Sequence, residues 1–258
     1  MIAANIPKFG KAVPVNEYGI GVPSVHVFDL HTALGFDAPI DYPKSSLVKR
    51  FSQWKMEVDD APIFRYIYRN ARPRRHLEFG TWQGKGTVFC LEECDATVWT
   101  INMPFGEGSY SFYDYEMPAA HAWAQRVGMA VSENYSSDAI GFIGKEYLQR
   151  DLGHRVCQIY SDSRAWDTVN YPDGFFDTIL VDGGHATEIV ASDTRKAFPL
   201  LRSGGIIMWH DFCPTEYHKF EACKGVMDGI SQEWDLITSQ TVQLFWVYPS
   251  MILVGIKK

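Results

Sequence analysis

Asp182, His185, His210 and Asp211 are the residues of this sequence whose types and spacing can do chemistry. Asp182 and His185 stand in Asp182-Gly183-Gly184-His185, and His210 and Asp211 are adjacent. Two carboxylates and an imidazole at neighbouring strand ends could form a compact divalent site. Carboxylates suit Mg2+, Mn2+ or Ca2+, while an imidazole shifts the preference towards Mn, Fe or Zn. The expected ligand set is Asp182, His210 and Asp211. His185, on the same cleft, is the candidate general base, because its ordinary pKa lies near neutrality. The competing reading is plainer: His210-Asp211 caps a turn and Asp182 contacts a cofactor.

A second group lies upstream, in Arg75-His76-Leu77-Glu78-Phe79-Gly80-Thr81-Trp82-Gln83-Gly84-Lys85-Gly86-Thr87. It reads as a buried strand, a glycine-rich turn and the start of a helix. Glycines allow the backbone to turn tightly and lie close to a ligand. A helix starting near Gly84 aims free N–H groups and its positive dipole end at that ligand. The spacing Glu-x-Gly-x-x-x-Gly differs from the Gly-x-Gly-x-x-Gly of dinucleotide enzymes.

Both groups need strands and helices to position them, and the chain supplies an alternating series. Asp59-Asp60 with Pro62 reads as an acidic cap and a first-turn proline, opening a helix to about Asn70 that Pro73 ends. Strands follow at 75–79, 97–101, 155–160, 176–181 and 206–209. Helices fall at 84–94, 137–150, 187–201 and 216–230, with Gly204-Gly205 breaking the third. An edge strand near 234–240 and one apolar strand over 244–256 complete the chain. The alternation implies an α/β fold of right-handed βαβ units with a mostly parallel sheet. In such a sheet ligands bind at the carboxyl ends of the strands, here Glu78, Asn102, Asp162, Asp182 and His210-Asp211. Residues 1–55 read as an N-terminal extension packed on the 56–258 domain. The aromatic-rich 103–135 segment reads equally as a lid-like insertion or a local aromatic core.

Composition sets limits. The chain has 258 residues, 46% of them hydrophobic, enough to bury one sizeable core. A formal net charge of −7 argues against nucleic acid as a partner. Five cysteines, an odd number without a CxxC pair, fit reduced thiols better than a disulfide framework. The first residues show no basic-then-apolar signal, and no apolar run is long enough to span a membrane. A cytoplasmic protein is expected, and the extension could support a homo-oligomer.

The Glu78 motif, the phrase Phe176-Asp177-Thr178-Ile179-Leu180-Val181-Asp182-Gly183-Gly184-His185, and Leu200-Leu201-Arg202-Ser203-Gly204-Gly205 followed by His210-Asp211 together resemble class I S-adenosylmethionine (SAM) methyltransferases. Within them, the similarity is to the small-molecule O-methyltransferases that include macrocin-type antibiotic-sugar enzymes. The resemblance covers about 75–258 and implies a Rossmann-like, doubly wound, seven-stranded, mostly parallel sheet with an antiparallel last strand and helices on both faces. It implies that the Gly80–Gly84 turn holds the methionine part of SAM, with Glu78 at its amino end and Thr81 and Thr87 adding hydroxyl contacts. It places Asn102 at the ribose hydroxyls, where relatives usually carry an acid, and Asp162 with Ser163 at the adenine. It also implies a small hydroxylated acceptor, with Mg2+ or Mn2+ at Asp182, His210 and Asp211. Relatives linked to hydroxylation leave another chemistry on the same fold open. An NAD-dependent oxidoreductase is disfavoured by the glycine spacing and by Asn102. A non-catalytic SAM-binding partner subunit has only Asn102 in its favour.

Overall fold

The computed structural model describes residues 13–14, 21–103 and 143–258. The expected lid at 103–135 therefore lies almost wholly outside the described residues, as does the start of the helix expected at 137–150.

A two-residue strand β1 (Val13–Pro14) pairs antiparallel with β2 (Gly21–Val22). The main sheet is built from β3 (Ser24–His26), β4 (Arg75–Phe79), β5 (Thr97–Asn102), β6 (Val156–Tyr160), β7 (Phe176–Val181), β8 (Leu201–Trp209), β9 (Thr241–Tyr248) and β10 (Ile252–Lys257). Their order across the sheet is β3-β9-β10-β8-β7-β4-β5-β6. Among the described strands of this sheet, only β10 runs against its neighbours, pairing antiparallel with both β8 and β9. Among the described residues the sheet has eight strands rather than seven, and Ser24–His26 of the N-terminal extension adds a parallel edge to β9. β4 is followed by β5 on one side and flanked by β7 on the other. The winding thus reverses between β4 and β7, and their carboxyl ends open a crevice at that switch point.

The helices are α1 (Leu30–Leu34), α2 (Ala61–Ala71), α3 (Lys85–Glu93), α4 (Lys145–Gln149), α5 (Thr187–Leu200), α6 (Glu221–Gln232) and α7 (Trp234–Gln240). Side chains alternate along the strands, so two apolar cores form. Leu77, Phe79, Ile179, Val181, Ile207 and Trp209 pack with residues of α5 and α6. Leu180, Met208 and Val254 pack with residues of α2 and α3 on the other face.

Three expected elements differ. Residues 234–240 are a helix, not an edge strand. Their alternating apolar residues fit a strand as well, but Glu233 caps α6 and the chain turns directly into α7, burying Ile237. The apolar stretch 244–256 is two strands. Pro249 offers no N–H for a ladder, and Ser250 closes the turn: Trp246 Nε1 donates to its carbonyl at 2.7 Å and Ile252 N to its hydroxyl at 3.0 Å. The third helix ends at Leu200, and Gly204-Gly205 lie within β8 rather than breaking the helix.

His76, given no role by its sequence context, is buried on the α2 face of β4. Tyr68 Oη lies 3.2 Å from Nε2, and Thr178 Oγ1 2.8 Å from Nδ1. Burial lowers its pKa to about 3. The unfolded chain takes up a proton near pH 6.5 that the folded chain refuses until about pH 3, so this group loses stability as pH falls through that window. Buried Glu78 and Asp193, whose pKa values burial raises, act in the opposite direction, so the His76 contribution is isolated by difference. From pH 7 to pH 5, urea denaturation should show wild type losing about 2 kcal/mol more than His76→Gln. A pH-independent difference would refute the assignment.

Candidate functional site at the carboxyl ends of the strands

Glu78 stands near the end of β4 and is 1% exposed. It points to the α3 face, where Thr87 Oγ1 donates to it and Thr100 Oγ1 donates at 2.9 Å. The bonding continues outwards: Thr81 Oγ1 lies 2.8 Å from Thr100 Oγ1, and Gln158 Nε2 donates to Thr81 at 3.0 Å. Burial raises the Glu78 pKa to about 8, against the lowering effect of these hydroxyls. Thr81 and Thr87 thus serve the floor of the turn instead of projecting free hydroxyls into the crevice.

The glycines of this turn answer to the protein itself. Gly80 has φ +98°, and a Cβ there would sit 2.0 Å from the Asp182 carbonyl oxygen. Gly84, at φ +86°, caps α3 and would meet the Tyr147 ring at 2.8 Å. Gly86 lies against the Glu78 carboxylate. Asp182 N donates to Phe79 O at 2.9 Å, so the β4 and β7 turns are locked together.

Asn102 closes β5: its Oδ1 accepts from Trp82 N at 2.9 Å and its Nδ2 donates to Met103 O at 3.0 Å. Asp162 is held by Arg164, whose Nη2 lies 2.7 Å from Oδ2, and this pairing lowers its pKa. The Ser163 carbonyl accepts from Lys196 Nζ at 2.7 Å.

Asp182, His185, His210 and Asp211 come together at the ends of β7 and β8. His185 Nε2 donates to Asp211 Oδ2 at 2.9 Å. His210 Nδ1 lies 3.1 Å from Asp182 Oδ1 and 3.2 Å from Asp211 Oδ2, and its Nε2 lies 3.3 Å from Asp60 Oδ2. Asp60 was expected to cap α2; it makes no side-chain cap bond. It is fully buried, accepting from Trp54 Nε1 at 2.6 Å and Met251 N at 3.1 Å. This role of Asp60 lies outside what its place before α2 implies. The alternation along β8 carried a signal for it, since His210 follows Met208 onto the α2 face.

Burial alone would lower the pKa of both histidines, but the neighbouring carboxylates outweigh it. Asp211 raises His185, and Asp211 with Asp182 raises His210 well above the ordinary value. Burial would raise Asp211; the two imidazoles instead hold it well below the usual carboxylate range. Among the described residues, donor atoms of Asp182, His185 and Asp211 lie within 4.8 Å of one another, as a metal site requires. His210 stands behind that set, tied to Asp60.

Helix α6 fixes the backbone of His185. A Cβ at Gly225 would lie 2.0 Å from the His185 carbonyl oxygen, and one at Gly229 2.7 Å from Val190 Cβ. Gly225→Ala should therefore destabilise by about 1–3 kcal/mol through overpacking. Urea denaturation checks this, and a neutral substitution would show that the two helices can part freely.

Comparison with known proteins agrees with this architecture. Residues 77–212, just over half of the chain, match the family model described as a methyltransferase domain. No curated protein matches the sequence. A Staphylococcus aureus protein assigned as a caffeoyl-CoA O-methyltransferase superposes with TM-score 0.52 at 16% identity, covering 82% of this chain and 85% of its own. The S-adenosylhomocysteine-bound methyltransferase PaMTH1 of Podospora anserina superposes with TM-score 0.51 at 15% identity, covering 84% and 82%. With the Gly80 turn and the Asp182 phrase both inside the matched region and set against each other at the switch point, the chain belongs to the class I SAM-dependent methyltransferases.

Proposed function

We propose that the chain methylates a hydroxyl oxygen of a small molecule, such as a sugar, a polyketide or another natural product. The observation that carries this reading is the His185–Asp211 pair, 2.9 Å apart beside Asp182. Asp211 fixes the Nε2–H tautomer of His185 and leaves Nδ1 to accept a proton. SAM bound in the crevice would supply its methyl group to the acceptor oxygen with S-adenosylhomocysteine as the leaving group, and His185 would take the acceptor proton. The sulfonium is already a good leaving group, so alignment and exclusion of water are what the protein must add. The Staphylococcus protein named above as an O-methyltransferase is consistent with oxygen as the acceptor atom.

The cofactor would lie across the switch point. The Gly80–Gly84 turn holds its methionine part over the polar floor of Glu78, Thr81 and Thr87, Asn102 faces the ribose, and Asp162 with Ser163 borders the base. Asp182 spans cofactor and acceptor.

A second reading is supported by the convergence of Asp182, His185 and Asp211. Two carboxylates and one imidazole fit Mg2+ or Mn2+ by donor chemistry. Such an ion would lower the pKa of an acceptor hydroxyl. The two readings compete for one imidazole, because a His185 whose Nε2 binds metal keeps its proton on Nδ1 and is no base. We also propose a cytosolic protein without a nucleic-acid or membrane partner, and a homo-oligomer built through the extension. No helix among the described residues is long and apolar enough to cross a membrane.

The test is calorimetric titration of EDTA-treated protein with S-adenosylhomocysteine, with and without Mg2+ or Mn2+. Nucleoside binding that is indifferent to metal supports the base reading. A separate heat on adding Mn2+, lost in Asp182→Asn, supports the metal reading. No nucleoside binding in any condition refutes both and returns a non-catalytic role or a different chemistry.

A further inference from the structure

Two thiols meet where α3 ends. The sulfurs of Cys90 and Cys94 lie 3.8 Å apart. Cys90 is fully buried within the helix, and Cys94, the residue that caps it, is half-buried. In a continuous helix, Cβ atoms four residues apart stand about 5–6 Å from each other. A disulfide needs them at roughly 3.5–4.5 Å. Cys94 is released from that constraint, because its φ of −156° and ψ of 170° are extended. The sulfurs then need to approach by only about 1.8 Å to bond. That movement falls to Cys94, since Cys90 is enclosed in the core that α2 and α3 form with the sheet.

The surroundings make the two sulfurs unequal. Arg155 braces the turn after α3: Nη1 donates to Leu91 O at 2.9 Å, Nε to Ala96 O at 3.1 Å, and Nη2 to Ala96 O at 2.9 Å and to Cys94 O. As a thiol, Cys94 donates to Cys90 O at 3.3 Å. Losing that proton exchanges this bond for ones the sulfur accepts. A hydrogen bond from Cys90, the Ala96 N–H and the Arg155 charge lower the Cys94 pKa, against burial and Asp95. Burial raises Cys90 well above the ordinary value, so Cys90 keeps its proton. The pair therefore joins a solvent-reachable sulfur that ionises readily to a protonated thiol beside it, as redox-active cysteines require. Cys157 is more exposed, but its pKa is raised.

We propose that Cys90 and Cys94 form a reversible dithiol–disulfide site, oxidised by hydroperoxides and reset by thiol reductants. Cys94 Sγ attacks a peroxide oxygen, the O–O bond breaks, and a sulfenic acid forms with release of water or alcohol. Cys90 Sγ then attacks the sulfenic sulfur; the S–S bond forms, the S–O bond breaks and water leaves. The two thiols give up two electrons and two protons, and the hydroperoxide is reduced. A dithiol reductant returns both electrons and both protons by thiol–disulfide exchange. The site is independent of how the crevice is used.

The experiment exposes the reduced full chain to hydrogen peroxide. Remaining thiols are alkylated, the protein is reduced, and newly freed thiols take a second alkylating label. Trypsin releases 86–126 as one peptide that carries both Cys90 and Cys94, so mass spectrometry reads the pair directly. In wild type both should carry the second label, at a rate about tenfold or more above any modification of Cys157. Dithiothreitol before the first alkylation should abolish it. Cys90→Ser should stop at a sulfenic acid on Cys94 that dimedone traps, and Cys94→Ser should leave Cys90 unoxidised at the same dose. Should Cys90→Ser not fold, Cys90→Ala keeps the core apolar and is read in the same way. The proposal is overturned if Cys90 and Cys94 keep the first label at a dose that modifies Cys157. It is equally overturned if Cys94 oxidises only into disulfides between chains, seen as dimers on a non-reducing gel.

Discussion

Gly80→Ala should abolish S-adenosylhomocysteine binding, weakening it by at least a hundredfold, and should destabilise the fold by roughly 3–5 kcal/mol as strain and overpacking add. The position combines two separate prohibitions. Its φ of +98° lies where side chains are strained, and its Cβ would stand 2.0 Å from the Asp182 carbonyl oxygen, 2.6 Å from the carbonyl carbon and 2.7 Å from Gly183 Cα. All three obstacles are backbone, so no rotamer change relieves them. The β7 turn must move away from β4, and that opens the crevice at its switch point and displaces Asp182 with it. Gly84→Ala is a useful contrast. It shares the positive-φ strain, at +86°, but its nearest obstacle is a side chain, the edge of the Tyr147 ring at 2.8 Å, with the Gly144 Cα next at 3.0 Å, so its loss of stability and binding should be smaller. Calorimetry with S-adenosylhomocysteine and urea denaturation of both variants check the difference. A Gly80→Ala protein that binds within tenfold of wild type would show that the two turns are not locked.

The strands that border the crevice were legible almost residue for residue. β4 and β7 are short apolar runs bounded by turn formers, buried on both faces, and such runs have few alternative readings. The cluster at the ends of β7 and β8 was legible for a related reason. Asp182 and His210 follow β7 and β8 directly, with His185 and Asp211 within four residues of the same strand ends, and parallel neighbours bring successive strand ends together. What could not be read was direction and depth. Nothing local says that Asp60 turns away from the start of α2 to meet His210, because that contact spans 150 positions in sequence. Asp193 reads as an ordinary polar residue of an amphipathic helix until residues 163–166 fold back beside it. The eighth strand was hidden because β3 is only three residues long, too short for a period of two to show. The split of 244–256 had a local signal in Pro249-Ser250, which the strong apolar pattern on either side outweighed.

The cluster also shows why the acids here need the histidines. Asp182 and Asp211 would repel each other across the crevice, and Asp60 would be an uncompensated buried charge. His210 touches all three. Carboxylates only accept hydrogen bonds, so His210 serves the ionised acids best with a proton on both nitrogens. The arrangement runs in sequence from buried Asp60 to His210, to Asp211 and then to His185, whose side chain is 30% exposed. Each group orients the next, and only the last one faces outwards.

That order decides what losing His185 should do. His185→Ala should lower kcat for methyl transfer to the true acceptor by about two to four orders of magnitude, the usual contribution of a positioned general base. Affinity for S-adenosylhomocysteine should stay within threefold, because in the proposed arrangement His185 touches the acceptor and not the cofactor. His185→Gln keeps a donor to Asp211 but cannot take the proton, so it should fall as far as Ala. In wild type, Asp211 raises the His185 pKa above the ordinary 6.5 despite burial. A base works only when unprotonated, so the rate should climb with pH through that raised value and level off above it. The Ala and Gln variants should lack this limb. Should His185 instead be a metal ligand, the Ala variant would lose Mn2+ affinity along with rate. A variant that retains both the wild-type rate and the alkaline rise would move the base elsewhere in the crevice.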